Sequence, residues 1–588
     1  MHEFTVWAPW VNKMAVAFSE KRHPMSRVGD RGWWSARIDQ AGPGADYAFL
    51  LDDDPKPYPD PRSMWQPQGV HGPSRLYDQQ AFSWSDAGWQ AMPLASAVIY
   101  EMHVGTFSHE GTFDGAIRLL DHLVQLGVTH VELMPVAEFP GDFGWGYDGA
   151  SLFAVKANYG GPDGLKHFVD ACHARNLAVL LDVVYNHFGP VGNYTGRYGP
   201  YMTKRHWTPW GEAVNLEFEE SDEVRRFFCD NALMWMRDYH IDGLRLDAVH
   251  EFVDRSAIHF MEQLSVETDV LSATLGKKLV LIAESDLNDP RVVESREAHG
   301  HGLDAQWSDD FHHALFTVLR PVEAEKGYYS DFGSIEKLAK SLTKVFVNDG
   351  VYSKYRRRIH GRPVEGLSAH RFVGFIQNHD QVGNRATGER LEHVVGLECA
   401  KVGLGLALLS PFIPLLFQGE EFAASSPFQY FAHHQDPEMA RAVSEGRKRE
   451  FAAFGWRPEE IPDPGSPETF HRSKLRWEDV ERGPHAEMLA WCRRLIAFRR
   501  ASASLNDGDL HHLRVMFDER GRWLVMERGL VKVMINLGSE PVEFPNPDGS
   551  VLVLASAGDV HIEGDRVLVP PARLAVLSNE LVESGSGQ

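Results

Sequence analysis

Eight short apolar runs, most of them separated by segments of helical period, constrain this chain more than any other feature. They read IYEMHV (99–104), THVELMPV (129–136), LAVLLDVVYNH (177–187), GLRLDAVHEF (243–252), LVLIAESD (279–286), DAQWS (304–308), RFVGFIQNHD (371–380) and IPLLFQGEEF (413–422). Between them lie segments such as FDGAIRLLDHLVQLG (113–127) and DEVRRFFCDNALMWMRDY (222–239), whose apolar positions recur at helical spacing. Continuous apolar strands need cover on both faces, and helical crossovers supply it. Eight such units predict a (β/α)8 TIM barrel over residues 91–504, enlarged by insertions. One insertion candidate, residues 321–370, holds the basic run YRRRIHGRP, expected to be a solvated face.

The flanks differ. Residues 1–90 alternate as half-buried strands do (FTVWAP, MAVAFS, GWWSARI, DYAFLLD) and predict an N-terminal β-sandwich. Residues 505–588 return to that pattern (HLRVMFD, RWLVMER, LVKVMIN, VLVLAS) and predict a second all-β sandwich, ending in a flexible SGSGQ tail. The chain thus reads as a multidomain α/β protein of 588 residues. A net charge of −23 argues against nucleic acid or an anionic membrane as partner. Four dispersed cysteines without a CxxC pair, and an N-terminus without a signal-peptide pattern, predict a cytoplasmic location. VGLGLALLSPFIPLLF (402–417) is too short and too interrupted by proline to span a bilayer, so a buried helix and strand are expected there.

Five of the eight runs turn polar at their C-terminal ends: Asn186 and His187; Asp247 and His250; Glu284 and Asp286; Asn378, His379 and Asp380; Gln418, Glu420 and Glu421. One acid after a strand is ordinarily a turn or capping residue. Five strands ending this way in one barrel put all these groups on the face where barrel active sites lie. Two chemistries use such a set without a serine or cysteine nucleophile. One is a metal centre on His187, Asp247, Glu284, His379 and Asp380. The other is glycoside hydrolysis by paired carboxyls. Arg245 favours the second: two residues from Asp247, it shares that strand face, where a cation would hold the carboxylate ionised and compete with a metal. Trp145 and Tyr147, in FGWGYDG after the second run, add flat rings of the kind that stack on sugars. The pairs His312–His313 and His433–His434, read as strand neighbours facing opposite ways, are poor chelates.

Four of these segments together resemble the α-amylase family of retaining glycoside hydrolases (family 13): DVVYNH (182–187), GLRLDAVH (243–250), AESD (283–286) and QNHDQ (377–381), in the family's order. The resemblance implies Asp247 as nucleophile, Glu284 as acid/base and Asp380 as the third carboxylate that binds and distorts the sugar. It further implies that Tyr147, His187, Arg245 and His379, with Asp182 in support, shape the subsite of the attacked sugar. LIAESDLNDPR, FIQNHDQVGNRA and LFQGEEFAASSPFQYF resemble the branch of the family that cuts the α-1,4 bond beside a terminal trehalose, so the implied substrate is a maltooligosyltrehalose. On its leaving-group side, His250, Glu251, Asp286, Phe428 and Tyr430 are candidate contacts. A retaining reaction would set the Asp247 and Glu284 carboxyls about 5–5.5 Å apart. Asn186 resembles a calcium-contacting asparagine of many α-amylases, but the loop that supplies the other ligands is modest here. No cofactor and no metal are expected, and a monomer or homodimer is. The alternatives are a branching enzyme or general amylase on the same acids, and a silent glucan-binding barrel, which would be expected to lack one of the three.

Overall fold

The computed structural model describes residues 1–452 and 456–580; the SGSGQ tail lies outside the described residues. Its centre is a closed barrel of eight parallel strands: Ile99–Met102, His130–Leu133, Ala178–Val183, Gly243–Leu246, Val280–Ala283, Ala305–Trp307, Phe372–Gly374 and Ile413–Phe417. Each falls within one of the eight apolar runs. Neighbours in sequence are neighbours in space, and the eighth strand closes on the first. Every residue of these strands is buried, because helices cover the outside and side chains fill the inside. The apolar stretch at 402–417 forms the end of the buried helix Leu397–Leu409 and the strand Ile413–Phe417. Among the described residues no helix is long and apolar enough to cross a membrane.

Near the N-terminus, two small antiparallel sheets carry strands from His2–Trp7 to Ser74–Arg75. After the barrel, a five-stranded sheet (Leu513–Asp518, Trp523–Arg528, Val531–Asn536, Arg573–Ser578, Val551–Ala555) faces a three-stranded one. Arg528, 3% exposed, joins this part to the barrel by donating to the carbonyls of Leu409 and Ser410, just past a barrel helix. The segment 321–370 adds the helix Ile335–Lys344 and the hairpin Val351–Ser353/Arg358–His360 before the seventh strand. His312 and His313 correct one expectation. They lie in the helix Asp309–Leu319, where His312 packs its ring on Phe316 and bonds the Ile376 carbonyl, and His313 packs on Phe332.

The segment entering the barrel is pinned to its N-terminal end. His173 sits between Asp86 and Asp242, at 2.8 and 3.0 Å. Trp89 stacks on the His173 ring and donates to Asp242, while Trp84 stacks on His240. Burial opposes charge on His173, but the hydrogen bonds to Asp242 and Asp86 outweigh it and raise its pKa. A raised histidine contributes most below its ordinary range, and that contribution drains away as pH rises through the folded-state value. His173→Gln should therefore destabilise the protein by about 3 kcal/mol at about pH 6 and by less at about pH 9. Denaturant unfolding at the two pH values checks this, and equal losses at both would contradict it.

Candidate active site

The C-terminal ends of the barrel strands open into a cavity of about 430 Å³. Its floor holds Asp247, Glu284 and Asp380, and Tyr147, His187, His250, Asp286, His379, Trp145 and Tyr430 also line it. Twelve of the fourteen residues singled out in the sequence lie in this lining or, as Asp182 and Arg245 do, directly beneath it. Phe428 is a correction: it is fully buried behind Trp145, stacked on that ring at 5.3 Å, and supports the wall without reaching the cavity. Glu251 is another, since the short helical turn Val249–Glu251 leaves it outside the lining.

Arg245 organises the floor. Its side chain is fully buried, and Nη1 donates to both Asp182 oxygens (2.9 and 2.8 Å) and to Asp247 Oδ1 (2.7 Å). Its other terminal nitrogen lies 3.6 Å from Glu284 Oε2, and the guanidinium rests over the Trp307 ring at 4.4 Å. Asp182 and Arg245 pair in register across adjacent strands, so the barrel hydrogen bonding itself sets this contact. Asn186 donates to Asp247 Oδ2 at 3.2 Å. After Asp247 the chain turns through Ala248 at φ 42°, a left-handed conformation that costs free energy outside glycine. That turn aims the Ala248 N–H at Glu284 Oε2, 2.6 Å away. Oε2 is thus an acceptor, and Oε1 is left to carry a proton. Burial raises the Glu284 pKa; Arg245 opposes this, and Asp247 and Asp380 reinforce it.

Above the Asp182–Arg245 pair, Tyr147 Oη lies 2.6 Å from Asp182 Oδ2 and 2.7 Å from His379 Nε2. The His187 ring nitrogens face two acceptors, Asn186 Oδ1 at 2.9 Å and the Tyr147 carbonyl at 3.1 Å, and its ring stacks nearly parallel on Trp210 at 4.8 Å. The Trp145 indole donates to the Gln429 carbonyl and lies against Gly383 so closely that a Cβ there would come within 2.1 Å of the ring. Only glycine at 383 lets this wall stand beside the Asp380 helix.

Sequence reasoning passed over four groups. Trp210, on the hairpin Met202–Thr208/Gly211–Val214, lines the cavity. Asn384 donates to Asp380 Oδ1 at 3.0 Å. Glu101, in the first barrel strand, bonds His379. Arg356, from the run expected to be solvated, instead reaches Asp286 Oδ2 at 2.9 Å, and His360 bonds the Asp286 carbonyl at 2.8 Å; Arg357 and Arg358 do face solvent. The signal for Asn384 was present, four residues after Asp380 in a helical register. The other three depend on insertions or on a strand position that resembles core.

Comparison with known proteins gives the family of the chain. The model of the "Alpha amylase, catalytic domain" family matches residues 73–212, and a domain of unknown function (DUF3459) matches residues 508–576. The crystal structure of a Salmonella typhimurium protein described as a candidate alpha amylase superposes with a TM-score of 0.89 at 35% identity, covering 98% of this chain and 97% of that one. The chain belongs to the α-amylase family of glycoside hydrolases. The malto-oligosyltrehalose trehalohydrolase of Rhizobium sp. (strain M-11) is 46% identical over 98% of this chain and 97% of its own length. That of Mycobacterium tuberculosis (strain H37Rv) is 48% identical over 93% and 94%. Within the α-amylases, the chain is a member of the malto-oligosyltrehalose trehalohydrolase family.

Arg245→Met would leave Asp182, Asp247 and Glu284 clustered without their cation. The expected loss is about 3–5 kcal/mol of stability at neutral pH, shrinking as acid protonates the carboxyls. Thermal unfolding across pH tests it; a pH-independent loss would show that packing, not charge, is what Arg245 supplies.

Proposed function

We propose that this cavity hydrolyses the α-1,4 bond beside the terminal trehalose of maltooligosyltrehalose with retention, releasing trehalose and a maltooligosaccharide. One observation carries the reading: Asp247, Glu284 and Asp380 share one cavity, with a single buried guanidinium touching both Asp247 and Glu284. Both carboxyls face nitrogens of one guanidinium, so the nucleophile and the acid/base of a double displacement would share one cation.

In the first step Glu284 gives its proton to the glycosidic oxygen while Asp247 attacks the anomeric carbon. The carbon–oxygen bond to trehalose breaks, trehalose leaves with the proton, and a glucosyl ester forms on Asp247. In the second step Glu284 takes a proton from water, the hydroxide oxygen bonds the anomeric carbon, and the ester breaks to return Asp247 as carboxylate. Asp380 grips the hydroxyls of the attacked sugar, oriented by Asn384. Tyr147, His187 and His379 define that sugar's subsite, with the Trp145 and Trp210 rings as walls. The raised Glu284 pKa serves the first step, since the acid must hold its proton near neutrality. Activity declines as pH rises through that value.

Asp286, held by Arg356 and His360, lies with His250 on the Glu284 side of the cavity, where the leaving group departs. We assign this cluster to the trehalose unit, whereas Tyr430, edge-on to Trp145 at 5.1 Å, stands with the Trp145 wall. A carboxylate pinned by arginine is a fixed acceptor for sugar hydroxyls, and it suits one small rigid disaccharide better than a continuing flexible chain. Names of the relatives support the same substrate. A cytoplasmic location fits four cysteines that are all free.

Incubation with maltooligosyltrehalose and, separately, with plain maltooligosaccharide tests the reading. Trehalose from the first and little product from the second are expected. Equal cleavage of both would favour a general amylase, and chain transfer without free trehalose a branching enzyme. Arg356→Met should raise KM for maltooligosyltrehalose about 10- to 100-fold, the worth of a charge-assisted hydrogen bond. Unchanged kinetics would remove Arg356 and Asp286 from the leaving-group site.

A further inference from the structure

Glu101 lies two layers from the chemistry, yet its contacts are more specific than a core position needs. It is 1% exposed within the strand Ile99–Met102, between Tyr100 and Met102. Both oxygens serve His379: Oε2 accepts the His379 backbone N–H at 2.9 Å, and Oε1 meets ring Nδ1. We propose that Glu101 is a positioning residue that fixes His379 as a doubly protonated imidazolium aimed at Tyr147 and Asp380.

Counting protons leads there. Asp182 Oδ1 and Oδ2 both accept from Arg245, and Oδ2 also faces Tyr147 Oη, so Asp182 acts as an acceptor throughout. Tyr147 owns one hydroxyl proton and gives it to Asp182. The remaining valence of Tyr147 Oη is an acceptor, so His379 Nε2, 2.7 Å away, must bear a hydrogen. On the other side of the ring, Nδ1 faces the Glu101 carboxylate and must bear a hydrogen as well. A ring with both nitrogens protonated is a cation. Its Nε2 lies 3.6 Å from Asp380 Oδ2, which sets a positive charge against the third carboxylate of the floor.

The surroundings agree. Groups facing His379 are Glu101 from the first strand, Glu132 from the second, Asp182 from the third, Arg245 from the fourth, His103 beyond the first, Tyr147 from its loop, and Asp380 beside it. Burial alone disfavours the charged ring, but Glu101 and Asp380 outweigh it and hold His379 up to about 9. Burial and the neighbouring Glu101 charge raise Glu132 well above its usual range, so it stays neutral and does not compete for the ring. His103 is lowered by burial to about 3 and adds no charge. Glu101 is therefore the charge that His379 depends on, and Tyr147 and Asp380 are the groups through which it reaches the sugar.

This inference deepens the proposed reaction and rests on it, so the test includes a measurement that needs no turnover. Protein labelled with ¹³C and ¹⁵N in histidine is observed by NMR, with the His379 resonance assigned by its loss in His379→Asn. In the unchanged protein, both ring nitrogens of His379 should be protonated at neutral pH and titrate only near the raised value. A neutral ring at neutral pH would overturn the proposal whatever the enzyme's activity. In Glu101→Gln the ring should titrate at or below about 6.5, the ordinary histidine value. The same variant should lose about 100-fold in kcat with a smaller change in KM, as expected when an electrostatic contact made at the transition state is removed. If Glu101→Gln does not fold, Glu101→Asp, which keeps the charge, is compared: its His379 should remain protonated. The double variant Glu101→Gln/His379→Asn should be no slower than His379→Asn alone, whereas multiplied losses would mean that Glu101 acts by packing and not through His379. Loss of trehalose release in the unchanged enzyme would instead count against the proposed reaction and leave the NMR result standing.

Discussion

A single buried cation holds the floor of this molecule together. Arg245 is fully enclosed, and a lone guanidinium at such depth would carry a large desolvation cost. Three carboxyls offset it: Asp182 with two contacts, Asp247 with one, and Glu284 at the edge of reach, while Trp307 covers the face. The carboxyls need the cation equally, since clustered acids without it would repel. This mutual dependence ties stability and chemistry into the same four residues. It also separates the two acids' surroundings, with Asp247 bonded to the cation and Glu284 turned so that one oxygen takes the Ala248 N–H and the other is left for a proton.

From that floor the site grows outward in two directions by different means. The subsite proposed for the sugar under attack is framed by barrel-strand ends and by the short segment that follows the second strand, which carries Trp145 and Tyr147. These are rigid, because strand register places Asp182 beside Arg245 and a missing Cβ at Gly383 admits the Trp145 ring. The proposed leaving-group side is built by an insertion. Hairpin residues Arg356 and His360 reach back to Asp286, a strand-end acid. Barrel enzymes keep the reaction in the strands and vary the substrate in the loops, and the roles proposed for these residues divide along that line.

Much of this was legible in the linear sequence. The barrel was, because buried parallel strands read as apolar runs and their number and alternation with helices leave few closed arrangements. Asp247, Glu284 and Asp380 were also legible, since polar residues at the ends of otherwise apolar strands converge once the strands close into a ring. Glu101 was not: it sits mid-strand among apolar residues, and its partner His379 is 278 residues away. Trp210 and Arg356 lie on insertions, whose path over the barrel no periodicity reports. Arg356 reads as one of three like charges, and only the hairpin pairing turns it inward while Arg357 and Arg358 face water. Phe428 and Glu251 failed for the converse reason. Nearness in sequence to a catalytic segment says nothing about which side of a wall or turn a side chain occupies.

What the sequence by itself determined is the barrel, its active face and the three acids of its floor. Period and residue type specify these, and both are local properties. What only the tertiary structure decided is the state and reach of the groups around them. The proton pattern proposed for His379, the bond from the Ala248 N–H to Glu284 Oε2 and the fixing of Asp286 by Arg356 each depend on atoms brought together from distant segments. Hydrogen bonds act over about 3 Å, so they follow the folded arrangement and not the order of residues along the chain.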